Sequence, residues 1–332
     1  MKWGKTISCQ RGKLTFRAAR LLFTAATVFC AACEHQNPLN PESPYVAGPT
    51  GNFRTISDAI AAAPAGETVR VQGATYDERL VITKSVKLVA NQAVLDGQSP
   101  STQGWGIEIR VDGVEISGFV VQNFERGIVI RNASGARIHD NEVRNNRSTQ
   151  PPPTNSGLTW YDGIVLETVR TTEVVNNFVH DNGGVGLLVT GLGEDLIIRG
   201  NRFMDNGAQD CAYNGAGLSI IQARRVTISD NDIVRNGWGI SLYSVPNGGN
   251  RVTGNRVREN GRAGIAVFES GNRIDGNDAR SNGLLNFPPT FGFDLVNHGT
   301  SLGDFSNQWE NNSGTFITNV QAGLPPGTSR RC

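Results

Sequence analysis

Lysine is nearly missing from this 332-residue sequence: beyond residue 13 only Lys84 and Lys87 occur. That removes lysine as the catalytic base and leaves no lysine-rich patch to grip nucleic acid. Histidine is scarce at four residues, and beyond residue 33 no Cys-x-x-Cys or His-x-x-x-His spacing exists, which excludes the usual zinc sites. Two methionines and no cysteine cluster speak against copper handling. What is abundant is glycine, 40 residues, and an interior helical glycine costs about 1 kcal/mol against alanine, so a bundle of long helices is untenable. With 38% hydrophobic and 18% charged residues the chain is neither disordered nor collagen-like.

The amino-terminal 32 residues carry six basic side chains and no acidic one, followed by an apolar run from Leu21 to Ala32. A charged segment followed by an apolar stretch too short to span a bilayer reads as an export signal. It ends in Phe29-Cys30-Ala31-Ala32-Cys33, which resembles a bacterial lipobox, with Cys33 as the lipid-bearing residue and Cys30 where leucine is usual. The expectation is a cell-envelope protein, an outer-membrane lipoprotein held by its lipid alone, with periplasmic or secreted release as the alternative. Residues 33–49 are polar and proline-rich and read as a tether, 50–320 as the folded domain and 321–332 as a tail. Without its signal the chain has 25 basic and 30 acidic residues, so no nucleic-acid partner is expected. Cys211 and Cys332 are then the remaining candidates for a disulfide.

Internal repetition decides the fold. From Gly106 a unit of roughly 22 to 25 residues recurs: a glycine, alternating apolar positions, a turn, a second apolar stretch, then two asparagines five apart. The first of the pair stands at Asn141, Asn177, Asn201, Asn231, Asn255, Asn277 and Asn307, with Gly118 in that slot earlier; the second stands at Asn123, Asn146, Asn182, Asn206, Asn236, Asn260, Asn282 and Asn312. Strands open at Gly106, Gly127, Gly163, Gly186, Gly217, Gly239, Gly264 and Gly292, and their period-two pattern buries one face. Asparagine suits such turns because it tolerates left-handed backbone, and aligned amides can bond along the stack. Stacked coils of this kind make an all-β solenoid with one continuous apolar core. A short helix is expected near residues 55–63, with Thr55 as its N-cap, covering the open first coil; Tyr76 and Glu78 read as first-coil residues without a chemical role.

The repeat resembles the single-stranded right-handed parallel β-helix of the pectin-lyase-like superfamily, over roughly residues 50 to 320. The resemblance implies carbohydrate chemistry without specifying it. The Asp-Pro-His of mannuronan epimerases and the Asp-Phe-Ile-Phe-Gly and Gly-Arg-Pro-Trp strings of pectin methylesterases are absent, and Phe291-Gly-Phe-Asp294 only echoes the flank of the first.

Three insertions follow Asn146, Asn206 and Asn282, so all should leave from one corner of the coil and wall the opening-strand face over about 24 Å. They hold Trp160, Tyr161, Asp210, Tyr213 and Phe287, residues suited to stacking on sugars and binding hydroxyls, or to anchoring the loops. Alternation places Arg110, Arg131, Glu167, Thr190, Ile221, Tyr243, Phe268 and Val296 in one outward column, and Glu108, Val129, Val165, Leu188, Ser219, Ser241, Ala266 and Asp294 in the next. Asp162, Glu167 and Arg131 are the candidate catalytic set, and Arg110 and Tyr243 join the aromatic insertions as substrate-binding candidates. Lyases and C5-epimerases of the superfamily abstract the proton beside a uronic carboxylate while a cation stabilises the charge. Here an arginine would bind the sugar carboxylate, and Asp162 and Glu167 would supply acid, base or, if a metal takes part, calcium ligands. The same residues also read as a surface ladder of opposite charges. A monomer binding an acidic polysaccharide, as lyase or epimerase, is the first expectation; a non-catalytic adhesin or scaffold for glycan or protein is the second.

Overall fold

The computed structural model describes residues 43–98, 104–147, 161–207, 215–243, 247–283, 293–297 and 307–318. Each opening strand is hydrogen-bonded to the one a coil earlier and the one a coil later. This gives a ten-stranded sheet in chain order from Leu80–Ile82 through Trp105–Ile109, Arg126–Arg131, Ile164–Glu167, Leu187–Thr190, Ala216–Ile221, Trp238–Tyr243, Ile265–Val267 and Leu295–Asn297 to Phe316–Thr318. A seventeen-stranded sheet closes the remaining sides. One of its rows joins Arg137–His139, Glu173–Val175 and Ile197–Arg199; another joins Glu142–Arg144, Phe178–His180 and Arg202–Met204. All pairings are parallel, as a solenoid requires. The inward column Ile107, Ile128, Ile164, Leu187, Leu218, Ile240 and Ile265 is fully buried, each member worth about 2 kcal/mol in removal from water.

Two corners of the coil are built by amide ladders, the first between the two rows of the seventeen-stranded sheet and the second before the ten-stranded sheet. In the second ladder the side-chain oxygen of Asn182 accepts the backbone N–H of Asn146 at 3.1 Å and its side-chain amide at 2.8 Å, and the relation repeats from Asn182 to Asn206, Asn236, Asn260 and Asn282. The first ladder runs from Asn141 to Asn177, Asn201, Asn231, Asn255, Asn277 and Asn312. The left-handed residues are not these asparagines but those just before them, such as Asp140, Asn145, Asn176 and Asp181, with φ between 52° and 55°. The strand-opening glycines are explained by the ladder too: a Cβ on Gly127 or Gly163 would sit 2.9 Å from the side-chain nitrogen of Asn146 or Asn182.

The structure shifts the register at both ends. Gly118 and Asn123 occupy left-handed positions, at φ 75° and 63°, and the ladder slots of that coil belong to buried Phe119 and Phe124, whose N–H groups donate to Asn141 and Asn146. Asn307 extends a third ladder, Asn250–Asn272–Asn307, while Asn312 ends the first. In the next-to-last coil Ala266 pairs with Val296, so Asp294, not Gly292, falls in the glycine slot, two residues from the expected alignment. There its carboxylate accepts the N–H of Asn282 at 2.8 Å and terminates the second ladder.

The helix Ile56–Ala62 covers the first coil, with Thr55 accepting the Asp58 N–H and Glu78 accepting the N–H groups of Ile56 and Ser57. At its other end Lys84 Nζ donates to the carbonyls of Ile60, Ala61 and Ala63 at 3.2, 2.8 and 2.7 Å. Lys84→Met should orphan those carbonyls and cost about 1–3 kcal/mol. Thermal unfolding should shift down by several degrees, and hydrogen exchange should show faster opening confined to the helix.

Candidate functional site

The residue just before each strand-opening glycine points outward and starts a column: Trp105, Arg126, Asp162, Val185, Ala216, Trp238 and Ala263, followed by Phe293 before Asp294. Two more outward columns follow along each strand. In the coils of Trp105–Ile109, Arg126–Arg131 and Ile164–Glu167 these columns carry Trp105, Arg126 and Asp162, then Glu108 beside two valines, then Arg110, Arg131 and Glu167. Arg131 and Glu167 are cross-strand partners, 2.8 Å apart and each about one-third exposed. Arg110 grips Glu108 through two bonds of 2.7 and 2.8 Å. The Trp105 ring lies under both guanidinium groups, 4.6 Å from Arg131 and 5.6 Å from Arg126, so it ties the first column to the third.

Asp162 is buried beside Arg126, 3.7 Å away. One carboxylate oxygen accepts the Val185 N–H at 2.9 Å. Burial pushes the Asp162 carboxyl up to about 6, and the Val185 bond and the Arg126 charge only partly oppose it. Burial likewise holds Arg126 below the usual guanidinium range, against the pull of Asp162 and Glu167. A carboxyl that gains and loses its proton near neutrality, next to Arg126 and one coil from the Arg131–Glu167 pair, is equipped for proton transfer beside a bound anion.

The later coils differ. Tyr243 and Phe268 stack at 3.9 Å with ring planes 9° apart, Tyr243 being 41% exposed, and Trp238 meets Phe268 edge-on at 6.4 Å. Arg262 lies 5.4 Å from the Trp238 ring. The stack sits three coils beyond Glu167, about 14 Å along the same outward face.

The insertions leave from a single corner, as expected, because Asn146, Asn206 and Asn282 belong to one ladder. At the neck of the second, Gly207 and Gly215 touch so closely that a Cβ on Gly207 would lie 2.3 Å from Gly215 Cα, at φ 61°. Tyr161 packs by its Cβ against Gly183. Trp160, Asp210, Tyr213 and Phe287 lie outside the described residues, as do Cys33, Cys211 and Cys332. Among the candidates the fold brings Arg110, Arg131, Glu167 and Asp162 to adjoining coils, and sets Tyr243 apart with the aromatic end. Sequence reasoning overlooked Trp105, Arg126 and Trp238, although each stands just before an opening glycine, and Phe293, whose place only the shifted register reveals. His139 and His180 fall in different columns, each held between two carboxylates. Among the described residues no three carboxylate, histidine or cysteine side chains converge to hold an ion, and Glu108, Asp162 and Glu167 each face an arginine. The donor set expected for calcium is not assembled from these residues.

The model of the right-handed beta helix region matches residues 91–244 and 126–313 of this chain. No curated protein matches. Among solved structures, pectate lyase Pel9A aligns at 17% identity over 86% of this chain and 81% of its own, with a TM-score of 0.56. Alginate lyase from Paenibacillus sp. str. FPU-7 aligns at 14% over 80% and 96%, TM-score 0.55. The A-module of the mannuronan C-5 epimerase AlgE4 of Azotobacter vinelandii aligns at 16% over 79% and 82%, TM-score 0.51. At such identities the likeness is one of fold.

Proposed function

This chain belongs to the right-handed β-helix family, and on that scaffold we propose a polysaccharide site along the outward face of the ten-stranded sheet, with acid–base chemistry on a uronate at its charged end. The observation that carries the reading is Asp162, a buried carboxyl titrating near pH 6 beside Arg126 and adjoining the Arg131–Glu167 pair. The protein is then an acidic-polysaccharide lyase or epimerase of the cell envelope, exported and lipid-anchored at Cys33.

A uronate carboxylate takes the place of Glu167 on Arg131, whose planar fork suits it. Asp162, ionised above pH 6, removes the proton on the carbon next to that carboxylate, and the electron pair moves into the carboxylate, where Arg126 and Arg131 stabilise it. In a lyase the pair then returns to form the carbon–carbon double bond as the glycosidic oxygen on the next carbon leaves, taking its proton from the newly protonated Asp162; in an epimerase water donates a proton to the opposite face, and Asp162 releases the abstracted proton to solvent. A panel of uronate polymers, read by absorbance of the unsaturated product and by proton exchange into heavy water, tests the reaction. No response to any polymer by either readout, at pH 6 to 8, would remove it.

The burial of Asp162 favours a second reading, a face that binds glycan without reacting. Both readings place sugar on the Tyr243–Phe268 stack. Tyr243→Ala with Phe268→Ala should weaken polymer retention about tenfold while affinity electrophoresis of an unrelated neutral glycan stays flat. If the polymer also migrates unchanged, the aromatic end is not part of the site.

A further inference from the structure

We infer that the polymer taken by this face carries its carboxylates sparsely, one acidic sugar followed by a run of neutral ones, and is not a homopolymer of uronates. The inference rests on the polysaccharide reading above and concerns which polymer fits it. Its basis is how charge is distributed over the face. The three outward columns hold six charged side chains, all within the three coils from Trp105 to Glu167. They form three pairs, Arg110–Glu108, Arg126–Asp162 and Arg131–Glu167, so even there the face is balanced. Over the next five coils, beginning with Leu187–Thr190 and ending with Leu295–Asn297, the described residues of those columns include no aspartate, glutamate, lysine or arginine, and Ala216, Ala263, Ala266 and Val296 join Trp238 in an apolar cluster. That stretch is about 19 Å long.

The insertions add little compensating charge. The first opens with Arg147, which donates to the Asp181 carbonyl at 3.0 Å; residues 148–160, 208–214 and 284–292 contain neither lysine nor arginine, and their one charged residue is Asp210. Within the late coils Arg262, just before Ala263, borders the columns 5.4 Å from the Trp238 ring. A homopolymeric uronate laid along this face would put a carboxylate over apolar surface at nearly every coil, and stripping water from an unpaired carboxylate is strongly unfavourable. A neutral sugar meets the same surface with its apolar face, which the Tyr243–Phe268 stack is shaped to accept. One carboxylate, by contrast, has a place: Arg131, reached by displacing Glu167.

A charge-density series on constant backbones tests this. Galacturonan, mannuronan and glucuronan would each be prepared as the free acid, as a partial methyl ester with roughly one free carboxylate in every four sugars to match the ~19 Å uncharged run, and as the full ester. Binding would be measured by calorimetry at low temperature, with product analysis to confirm that the polymer stays intact. On the backbone that binds best, the partial ester should bind at least tenfold more tightly than the free acid. Arg131→Gln should reduce it to the level of the full ester and leave the full ester unchanged, and Arg131→Ala serves as a second variant. Tightest binding by the free acid, or equal loss across all three forms in the Arg131 variants, overturns the sparse-charge inference while leaving the polysaccharide site standing. Absence of binding on every backbone and ester level overturns the site itself.

Discussion

Asp162→Asn should abolish turnover and stabilise the protein at the same time. Loss of a positioned acid–base group lowers the rate by at least about 100-fold, while retention of polymer should change little, because Arg131 and the Tyr243–Phe268 stack are untouched. The stability side follows from burial. The folded-state pKa of about 6 lies above the value near 3.9 expected in the unfolded chain. Stabilisation tied to the bound proton is whole below pH ~4 and is lost as pH rises through 6. For a shift of this size the loss is about 3 kcal/mol. Asparagine keeps an acceptor for the Val185 N–H and never ionises, so the variant lacks that decline. Urea unfolding at pH 3.5 and 7.5 should show near-equal stability at the lower pH and a more stable variant at the higher, with about half of the difference already present at pH 5. A variant with full turnover would dismiss Asp162 from the chemistry, and one sharing the wild-type pH slope would dismiss its burial as the cause. Stability gained as activity is lost is the expected trade at a site held in an unfavourable state for function.

The largest purely structural loss is expected at Asn231. Its side-chain oxygen accepts both the N–H and the side-chain amide of Asn201, and its own amide donates to the Ile198 carbonyl and to Asn255, all within 3.0 Å and buried. Alanine there strands several buried polar groups, each costing about 1–3 kcal/mol, so a total of at least about 3 kcal/mol is expected. For a domain of this size the unfolding midpoint should drop by roughly 6–12 °C. Asn312→Ala, at the half-exposed end of the same ladder, removes fewer bonds and should cost under about 1 kcal/mol. Equal effects at the two positions would show that the ladder does not act through buried pairing.

The contrast also shows where sequence reasoning succeeded. The ladder and the sheet register were legible because burial repeats: Asn at a fixed offset and glycine before alternating apolar residues recur once per coil, and slipping by one residue would invert every side chain. Reading failed where one residue type serves two purposes. Asn123 looks like Asn146, yet it lies in the left-handed slot one residue earlier, and only three-dimensional pairing separates the two roles. Asp294 broke the pattern because a carboxylate takes over from an amide, which no periodicity announces. The charged end of the face was half visible, since Arg110, Arg131 and Glu167 followed from alternation. Arg126 and Trp105 did not, because the bend at the opening glycine turns their side chains outward against the count. The pairing of Asp162 with Arg126 and its raised pKa depend on depth below the surface, which spacing alone does not encode.

The way Asp294 closes the second ladder gives the solenoid a direction of growth. An amide both receives and gives, so a copied coil placed anywhere between Asn146 and Asn282 can join the column and pass it on. The Asp294 carboxylate, which accepts from Asn282 and Thr315, passes nothing on. A duplication beyond Asp294 must found a new column, whereas the face with its sugar-length spacing can be lengthened from within, one coil at a time.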